Sequence, residues 1–333
     1  MRIRHRGSRG IASPSFAAAA LLCAGTLTGG FQAQAAAFPE NPIRLIVAFA
    51  PGGSADNLAR TIQPALSDAF GHPLVIDNRP GASSIIGTDM TAKAPADGYT
   101  LLLITTTHSV NPSLRKLPYD SVKDFAMVTL VVSQPNILSV HPSVPAKSVK
   151  ELVALARSKP NTLNFASGGN GSSPHLSGEL FKIVAGIQIT HVPYKGSGPG
   201  VTDLLGGHVQ MMFAGPLVLE QHIKNGRLRA LAIADLRRSI VLPDVPTMTE
   251  AGFPGVETGT WYGILAPAAT PRPIVAKLNA TFAKVLRSPE VEARLSKQGV
   301  DIVASGSEEF RRFMTGEIVK WAKVVKNAGV RAE

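Results

Sequence analysis

The chain predicts an α/β fold of two lobes joined by a two-strand hinge, and three observations carry that prediction. Short apolar strands alternate with helical segments from Pro42 onward, the pattern of a parallel sheet covered by helices on both faces. The alternation falls into two series, with chain crossings at 133–136 and again at 257–260. A length of 333 residues leaves room for two domains. The expected division is 1–37 as a leader, 38–135 with 258–333 as a discontinuous first lobe, and 136–257 as the second lobe. Lobes linked by two crossings are expected to move against each other.

The leader differs from the rest. Arg2, Arg4, Arg6 and Arg9 make a basic start, an apolar run covers 16–27, and Ala33-Gln34-Ala35 and Ala35-Ala36-Ala37 offer cleavage after Ala35 or Ala37. That is the layout of a secretory signal peptide, and the apolar run is too short to span a membrane. Its removal takes away four arginines and no acid, which lowers the formal charge from +11 to +7 (30 basic against 23 acidic residues). A moderately basic remainder suits a small anionic ligand. Without a basic run interleaved with aromatics, it does not suggest nucleic-acid binding. The only cysteine, Cys23, lies inside the leader and follows Leu22, which is not the small residue a lipid-attachment site wants. The exported chain is then Cys-free, which excludes disulfides and C-x-x-C redox chemistry. Export without an anchor points to the periplasm of a diderm bacterium, and a monomer is expected.

In order, the first series reads as strand 43–50, helix 57–70, strand 74–76, a turn cluster at 77–81, a helix from Ser83 or Ser84 to Lys93, and strand 99–104. Strands 125–132 and 135–140 follow, broken at Gln134-Pro135, then helix 148–158. The second series is strand 163–166, helix 174–184, strand 187–192, helix 199–205, strand 209–213, helix 217–225 and strand 228–234. A proline-rich irregular stretch spans 242–255. Strand 261–266 rejoins the first sheet, and helices 271–288, 289–297 and 307–327 end the chain, the last opening on Ser307-Glu308-Glu309.

Three loops share one design. Pro51-Gly52-Gly53-Ser54, 167–174 and Tyr194-Lys195-Gly196-Ser197-Gly198-Pro199 each run from a strand through glycines into a helix. Ser54 and Ser173 stand where N-caps belong, with Pro174 at the first helical position, and Ser197 or Gly198 caps the third. Free N–H groups and the helix dipole there favour an anion, and glycines let it approach the backbone. Any one of these loops reads more simply as a tight strand-to-helix turn; three of them, split between two lobes, point to one shared site. The candidate residues are Gly52, Gly53, Ser54, Ser167, Gly168, Gly171, Ser172, Ser173 and Gly196, with Asp56, His175, Tyr194 and Lys195 beside them. Asp56 either complements the helix dipole or meets a donor on the ligand, and His175 either packs or donates to the anion. The hydroxyl cluster at 105–109 adds Thr106 and Thr107 as cleft wall, or else is a helix cap.

Enzyme signatures are missing. No G-x-G-x-x-G with an acidic partner, Walker lysine motif, G-x-S-x-G elbow or H-E-x-x-H occurs, so no catalytic residue, cofactor or metal is expected. Serines near His175 leave an exported hydrolase as the alternative.

Seven segments together resemble a known family: Pro51-Gly52-Gly53-Ser54-Ala55-Asp56, Arg79-Pro80-Gly81-Ala82, Ala96-Asp97-Gly98-Tyr99-Thr100-Leu101, Gly171-Ser172-Ser173-Pro174-His175-Leu176, His191-Val192-Pro193-Tyr194-Lys195-Gly196, Leu242-Pro243-Asp244-Val245-Pro246-Thr247 and Trp261-Tyr262-Gly263. In this order, from Phe38 to the last helix, they resemble the Bug receptors, the substrate-binding proteins of tripartite tricarboxylate transporters (TctC family). The resemblance implies a type II periplasmic binding fold and membrane transporter subunits as partners. It also implies a carboxylate held by backbone N–H groups and ordered waters at 52–56 and 167–175, with 194–196 adjoining. Its members take citrate, other dicarboxylates, acidic or amide amino acids, nicotinate and aromatic carboxylates. Ser83-Ser84 stands where glycines are frequent, and Asn111-Pro112-Ser113-Leu114 and Phe213-Ala214-Gly215-Pro216 are individual to this chain; these stretches are expected at the far end of the ligand.

Overall fold

The computed structural model describes residues 38–330, so the leader, Cys23 and the cleavage candidates lie outside the described residues. In chain order the elements are β1 (Ile43–Val47), α1 (Ser54–Phe70), β2 (Leu74–Asn78), α2 (Ile85–Ala92), β3 (Thr100–Thr105), α3 (Thr107–Leu114) and β4 (Phe125–Val140). Then come α4 (Val149–Ser158), β5 (Asn164–Ser167), α5 (Ser173–Ala185), β6 (Thr190–Pro193), α6 (Ser197–Leu205), β7 (Met211–Ala214), α7 (Pro216–Lys224) and β8 (Arg229–Ala234). The last are β9 (Gly259–Pro267), α8 (Arg272–Leu286), α9 (Pro289–Lys297), β10 (Asp301–Ile302) and α10 (Ser307–Ala328).

The strands form a continuous path, β2-β1-β3-β9-β4-β7-β5-β6, with β8 and β10 also on β4. Pairing is parallel within β2-β1-β3 and within β7-β5-β6. It is antiparallel wherever β4 or β9 takes part. The sheet is therefore mixed, not parallel throughout as the alternation suggested. The reason is β9, which returns after the 136–257 excursion and pairs antiparallel with both neighbours, so it needs no crossover helix.

The expected break at Gln134-Pro135 is also absent: β4 is one strand of 16 residues. Its first part pairs with β9 down to Pro135 opposite Gly259, and from Asn136 onward it pairs with β8 and β7. Pro135 cannot donate to a ladder, and it falls where β4 changes partners, with the Asn136 amide picking up Thr258 O at 3.1 Å. The two-residue β10 carries no periodic signal, and of the short α3 (Thr107–Leu114) the sequence shows only the hydroxyl cluster that caps it. Other boundaries moved by one to three residues; α1 starts at Ser54 rather than Asn57.

Side chains divide along the same line. Phe165, Phe181 and Phe213 centre one core set drawn from 138–256, and Val201, Leu204 and Leu219 a second from the same half of the chain. Ile46, Leu102, Phe125, Leu265 and Phe310 centre another that lies outside that segment. Full burial of each such side chain contributes about 1.5–3 kcal/mol. A smaller cluster joins Val110 of α3 with Trp321 and Val325 of α10 to Leu176 of α5.

Gly263 shows how tightly β9 is held. A Cβ there would lie 2.1 Å from Cζ of Phe310, which is fully buried on α10. Gly263→Ala is expected to lower stability by about 1–3 kcal/mol through overpacking, measured as a drop in urea midpoint. An unchanged midpoint would mean that α10 shifts freely.

Candidate functional site

The loop after β1 enters α1 through Gly53, whose extended backbone (φ −85°, ψ 172°) makes it the N-cap; no side chain caps this helix. Ser54 is thus the first helical residue, not the cap expected from sequence. Its amide donates to Ser197 Oγ at 3.0 Å, across from the start of α6. Two further bonds join these regions: Ala50 N to Lys195 O at 2.9 Å, and Asn57 Nδ2 to Leu217 O at 3.0 Å. Gly196 makes the first possible, since its φ of +130° and a virtual Cβ 3.2 Å from Ala50 N leave no room for a side chain.

On the facing side, α5 is capped by Ser172, whose Oγ accepts from His175 N at 3.4 Å. Sequence reading placed this cap one residue later, at Ser173. Ser173 instead binds the crossing strands: its Oγ donates to Gly259 O and accepts from Asn136 Nδ2, both at 2.7 Å.

Between the two sides lies a cavity of about 40 Å³. Ligand sites usually offer about 300–1,000 Å³, so the loops here are drawn together on each other. Of the expected residues, Gly53, Ser54, Thr107, Gly168, Ser172 and Ser173 line it. Ala214 and Gly215, from a stretch expected beside the ligand, line it as well, while sequence reading misses Phe49, Ser197, Thr260 and Tyr262. Ser197 had a local signal, its place in the third glycine loop. Thr260 and Tyr262 had none, because they reach the cavity only through the alternation of side chains along β9. Tyr262 is held by Gln134 Nε2 at 2.7 Å, and burial pushes its hydroxyl well above the usual phenol range.

The remaining expected residues support the walls. Asp56 is almost wholly buried and turned into its own loop: Oδ2 accepts from Gly52 N and Arg60 Nε, both at 2.9 Å, and Oδ1 from Asn78 Nδ2 at 3.0 Å. Burial alone would raise its pKa, but these bonds outweigh that and hold the carboxyl below its usual range. Gly52 and Tyr194 open instead onto an outer groove, where Tyr194 Oη donates to Asp203 Oδ2 at 2.6 Å. The Lys195 side chain is exposed. Thr106 Oγ1 accepts from Trp261 N at 3.2 Å and so ties β9 to α3, while Thr105 and Thr107 line the cavity.

Ser167, Gly171 and His175 shape the second loop from behind. Ser167 Oγ sits 2.7 Å from His191 Nε2 and accepts from Gly169 N at 3.1 Å. His175 Nδ1 accepts from Gly171 N at 3.0 Å, which places the ring proton on Nε2. The rings of His175 and His191 stack at 4.0 Å. Burial, the largest cause, keeps both neutral, with pKa values near 4 and 3. No group of three or more His, Cys, Asp or Glu side chains among the described residues is placed to hold a metal. No helix among them is long and apolar enough to cross a membrane.

Comparison with known proteins gives a consistent match. Residues 58–330 match the family described as tripartite tricarboxylate transporter family receptor. The chain is 40% identical to protein BugT of Bordetella pertussis, over 91% of this chain and 95% of that one. It is similar to the structure of periplasmic binding protein BugD, with a TM-score of 0.86, 33% identity, and coverage of 89% of this chain and 100% of the other. A protein from R. palustris, solved with adipate, gives a TM-score of 0.86 at 38% identity, over 88% and 99% of the two chains.

Proposed function

We propose that this chain, which belongs to the family of tripartite tricarboxylate transporter receptors, captures a small carboxylate-containing metabolite between two lobes and delivers it to membrane transporter subunits. The fold is that of a periplasmic binding protein, and the family consists of receptors rather than enzymes. The lobes we infer are 38–135 with 258–333, and 136–257; the signal peptide at 1–37 would send a monomeric protein to the periplasm.

One contact carries the ligand assignment: Ser197 Oγ on the Ser54 amide. An oxygen acceptor from the far side already occupies the first donor of α1, where orphan N–H groups and the helix dipole favour negative charge. A carboxylate oxygen is a stronger acceptor than a hydroxyl and displaces it. The other expected donors, at Gly168 and at the start of α5, face the same cavity. That a protein from R. palustris with this fold was solved with adipate agrees with this chemistry.

The test is a thermal-shift screen of organic acids. At a hundredfold excess over Kd, a bound acid adds about 2.7 kcal/mol of stability, roughly 5 °C in Tm. The acid should be recovered unchanged. A flat screen, or consumption of the acid, would overturn the proposal.

A further inference from the structure

The segment 242–247 takes no part in the cavity. It holds an exposed tip instead. Arg238 Nη1 donates to Pro243 O at 3.1 Å, and Arg238 Nε pairs with Glu250 at 2.8 Å. Glu250 Oε2 also accepts from Thr247 N at 2.8 Å. At the other end, Asp235 Oδ1 accepts from the amides of Leu236 and Arg237 at 2.6 and 3.3 Å. The backbone at 235–243 is thus pinned from both sides, yet Leu236 stands 78% exposed. A single exposed leucine needs no explanation, but Leu236 forms one wall of a groove of about 560 Å³.

The groove lies along the hinge. Its floor is the stretch where β4 and β9 run together, Ser133 opposite Trp261 and Pro135 opposite Gly259. Trp261 points to this face, while its neighbour Tyr262 lines the cavity. Trp261 and Phe310 are buried beneath the floor, and Phe313 of α10 is half-buried at the side. Apolar side chains therefore reach the groove from the tip and from the helix.

Its charge runs against that of the chain. Beyond the leader the sequence holds 30 basic residues against 23 acidic. The groove is lined by five acids, Asp235, Glu257, Asp301, Glu309 and Glu317, and by one base, Lys320. Lys320 is already engaged, with Nζ 2.9 Å from Glu317 Oε1 and 4.9 Å from the centre of the Trp321 ring. Glu317 Oε2 accepts from Nε1 of Trp261 and of Trp321. The other four acids form no ion pair among the described residues. Some have local roles: Glu309 complements the first turn of α10, and Asp235 and Glu257 accept backbone amides. Those roles do not explain why all four face one groove with no cation opposite. Acids gathered around an apolar cleft focus a negative potential there.

We propose that this groove docks a basic segment of another polypeptide. An apolar side chain of that segment seats against Leu236 and Phe313, and its lysine or arginine side chains meet Asp235, Glu257, Asp301 and Glu309. The apolar wall selects for a polypeptide over a small cation, and the carboxylates select against an acidic partner. Asp235, Leu236 and Glu257 come from one inferred lobe, and Asp301, Glu309 and Phe313 from the other, so the partner meets both lobes at the hinge. The proposal is independent of the carboxylate reading, which concerns the opposite face of β9.

Fluorescence anisotropy tests it. A short fluorescein-labelled peptide alternating lysine and leucine is titrated with the purified protein, beside a glutamate–leucine peptide and a lysine–serine peptide. The lysine–leucine peptide should bind saturably, the glutamate–leucine peptide should not bind, and the lysine–serine peptide should bind about fivefold or more weakly. Glu309→Lys should weaken the lysine–leucine peptide about tenfold, and Leu236→Ser about fivefold. Glu292→Lys makes the same reversal at an exposed acid in the first turn of α9, outside the groove, and should leave affinity within about twofold. If Glu309→Lys does not fold, Asp301→Lys at exposed Asp301 of β10 takes its place. No saturable binding of the lysine–leucine peptide would overturn the inference, as would equal losses in Glu309→Lys and Glu292→Lys. Spermine or the lysine–serine peptide binding as tightly as the lysine–leucine peptide would make this a small-cation site and overturn it too. None of these failures touches the thermal-shift screen, so the receptor reading stands or falls separately.

Discussion

Replacing Gly198 with alanine is expected to weaken ligand binding by about tenfold to a hundredfold while the protein stays folded. Gly198 is the second residue of α6, and a Cβ there would lie 2.8 Å from Pro51 O and 2.9 Å from both Gly52 C and Gly53 N. All three are backbone atoms of the loop after β1, so no rotamer change relieves the clash. The two loops belong to different lobes in the division inferred above, so each lobe folds without the contact. Alanine within a helix is also about 1 kcal/mol more favourable than glycine. The cost falls on the closed arrangement alone, about 1–3 kcal/mol, and a ligand that binds the closed arrangement loses that much affinity. Calorimetry against whichever acid passes the thermal screen measures the loss, and circular dichroism with Tm in the absence of ligand checks the fold. Full affinity in Gly198→Ala would show that binding does not need these loops together.

The loops were legible because they are local. Pro51-Gly52-Gly53-Ser54 announces a strand-to-helix turn in four residues, and the structure places Gly53 and Ser54 on the cavity. The alternation likewise showed where helices and strands lie. What sequence could not show depends on pairing. Thr260 and Tyr262 face the cavity and Trp261 the other way only because β9 lies between β3 and β4. There, Trp261 Nε1 donates to Glu317 Oε2 at 2.8 Å, which also accepts from Trp321 Nε1. Nothing near 261 in the sequence names residue 317 as its partner. Asp56 illustrates the converse limit. A lone acid in a first turn reads either as a dipole residue or as a contact for the ligand, and the three donors that hold it, all within its own half of the chain, are not visible in the sequence. The capping serine of α5 slipped by one residue because Ser172 and Ser173 are equally good caps. What separates them is Gly259 and Asn136, far away in sequence, which claim Ser173.

The second large effect is acid destabilisation set by three neutral histidines, His108 and His175 buried and His191 half-buried. His108, wholly buried, hydrogen-bonds Ser121 O through Nε2 at 2.9 Å and packs on Tyr119 and Phe125. Burial depresses its pKa to about 4, as it does for His175, while His191 falls to about 3. Their folded values lie below the unfolded value near 6.5. Stability from these groups is therefore fully present above pH 6.5 and is lost as pH falls toward 4, because the unfolded chain takes up protons that the fold refuses. Each histidine depressed this far is worth up to about 3 kcal/mol, and the stacked pair titrates jointly. Asp56, Asp77 and Asp120 have lowered values, so their loss begins only as pH falls through the carboxylate range, below the histidine window. Urea unfolding at pH 7, 6, 5 and 4.5 should show the decline, and His108→Leu should flatten its slope by about 1.4 kcal/mol per pH unit, the contribution of one proton. Parallel curves for the two proteins would remove His108 from the account. Binding should follow a different course. Gly171 donates to His175 Nδ1 only while that nitrogen is unprotonated, and the folded protein keeps it so down to about pH 4. Stability should thus erode across a range in which the second loop keeps its shape and ligand affinity holds, with affinity giving way only near pH 4.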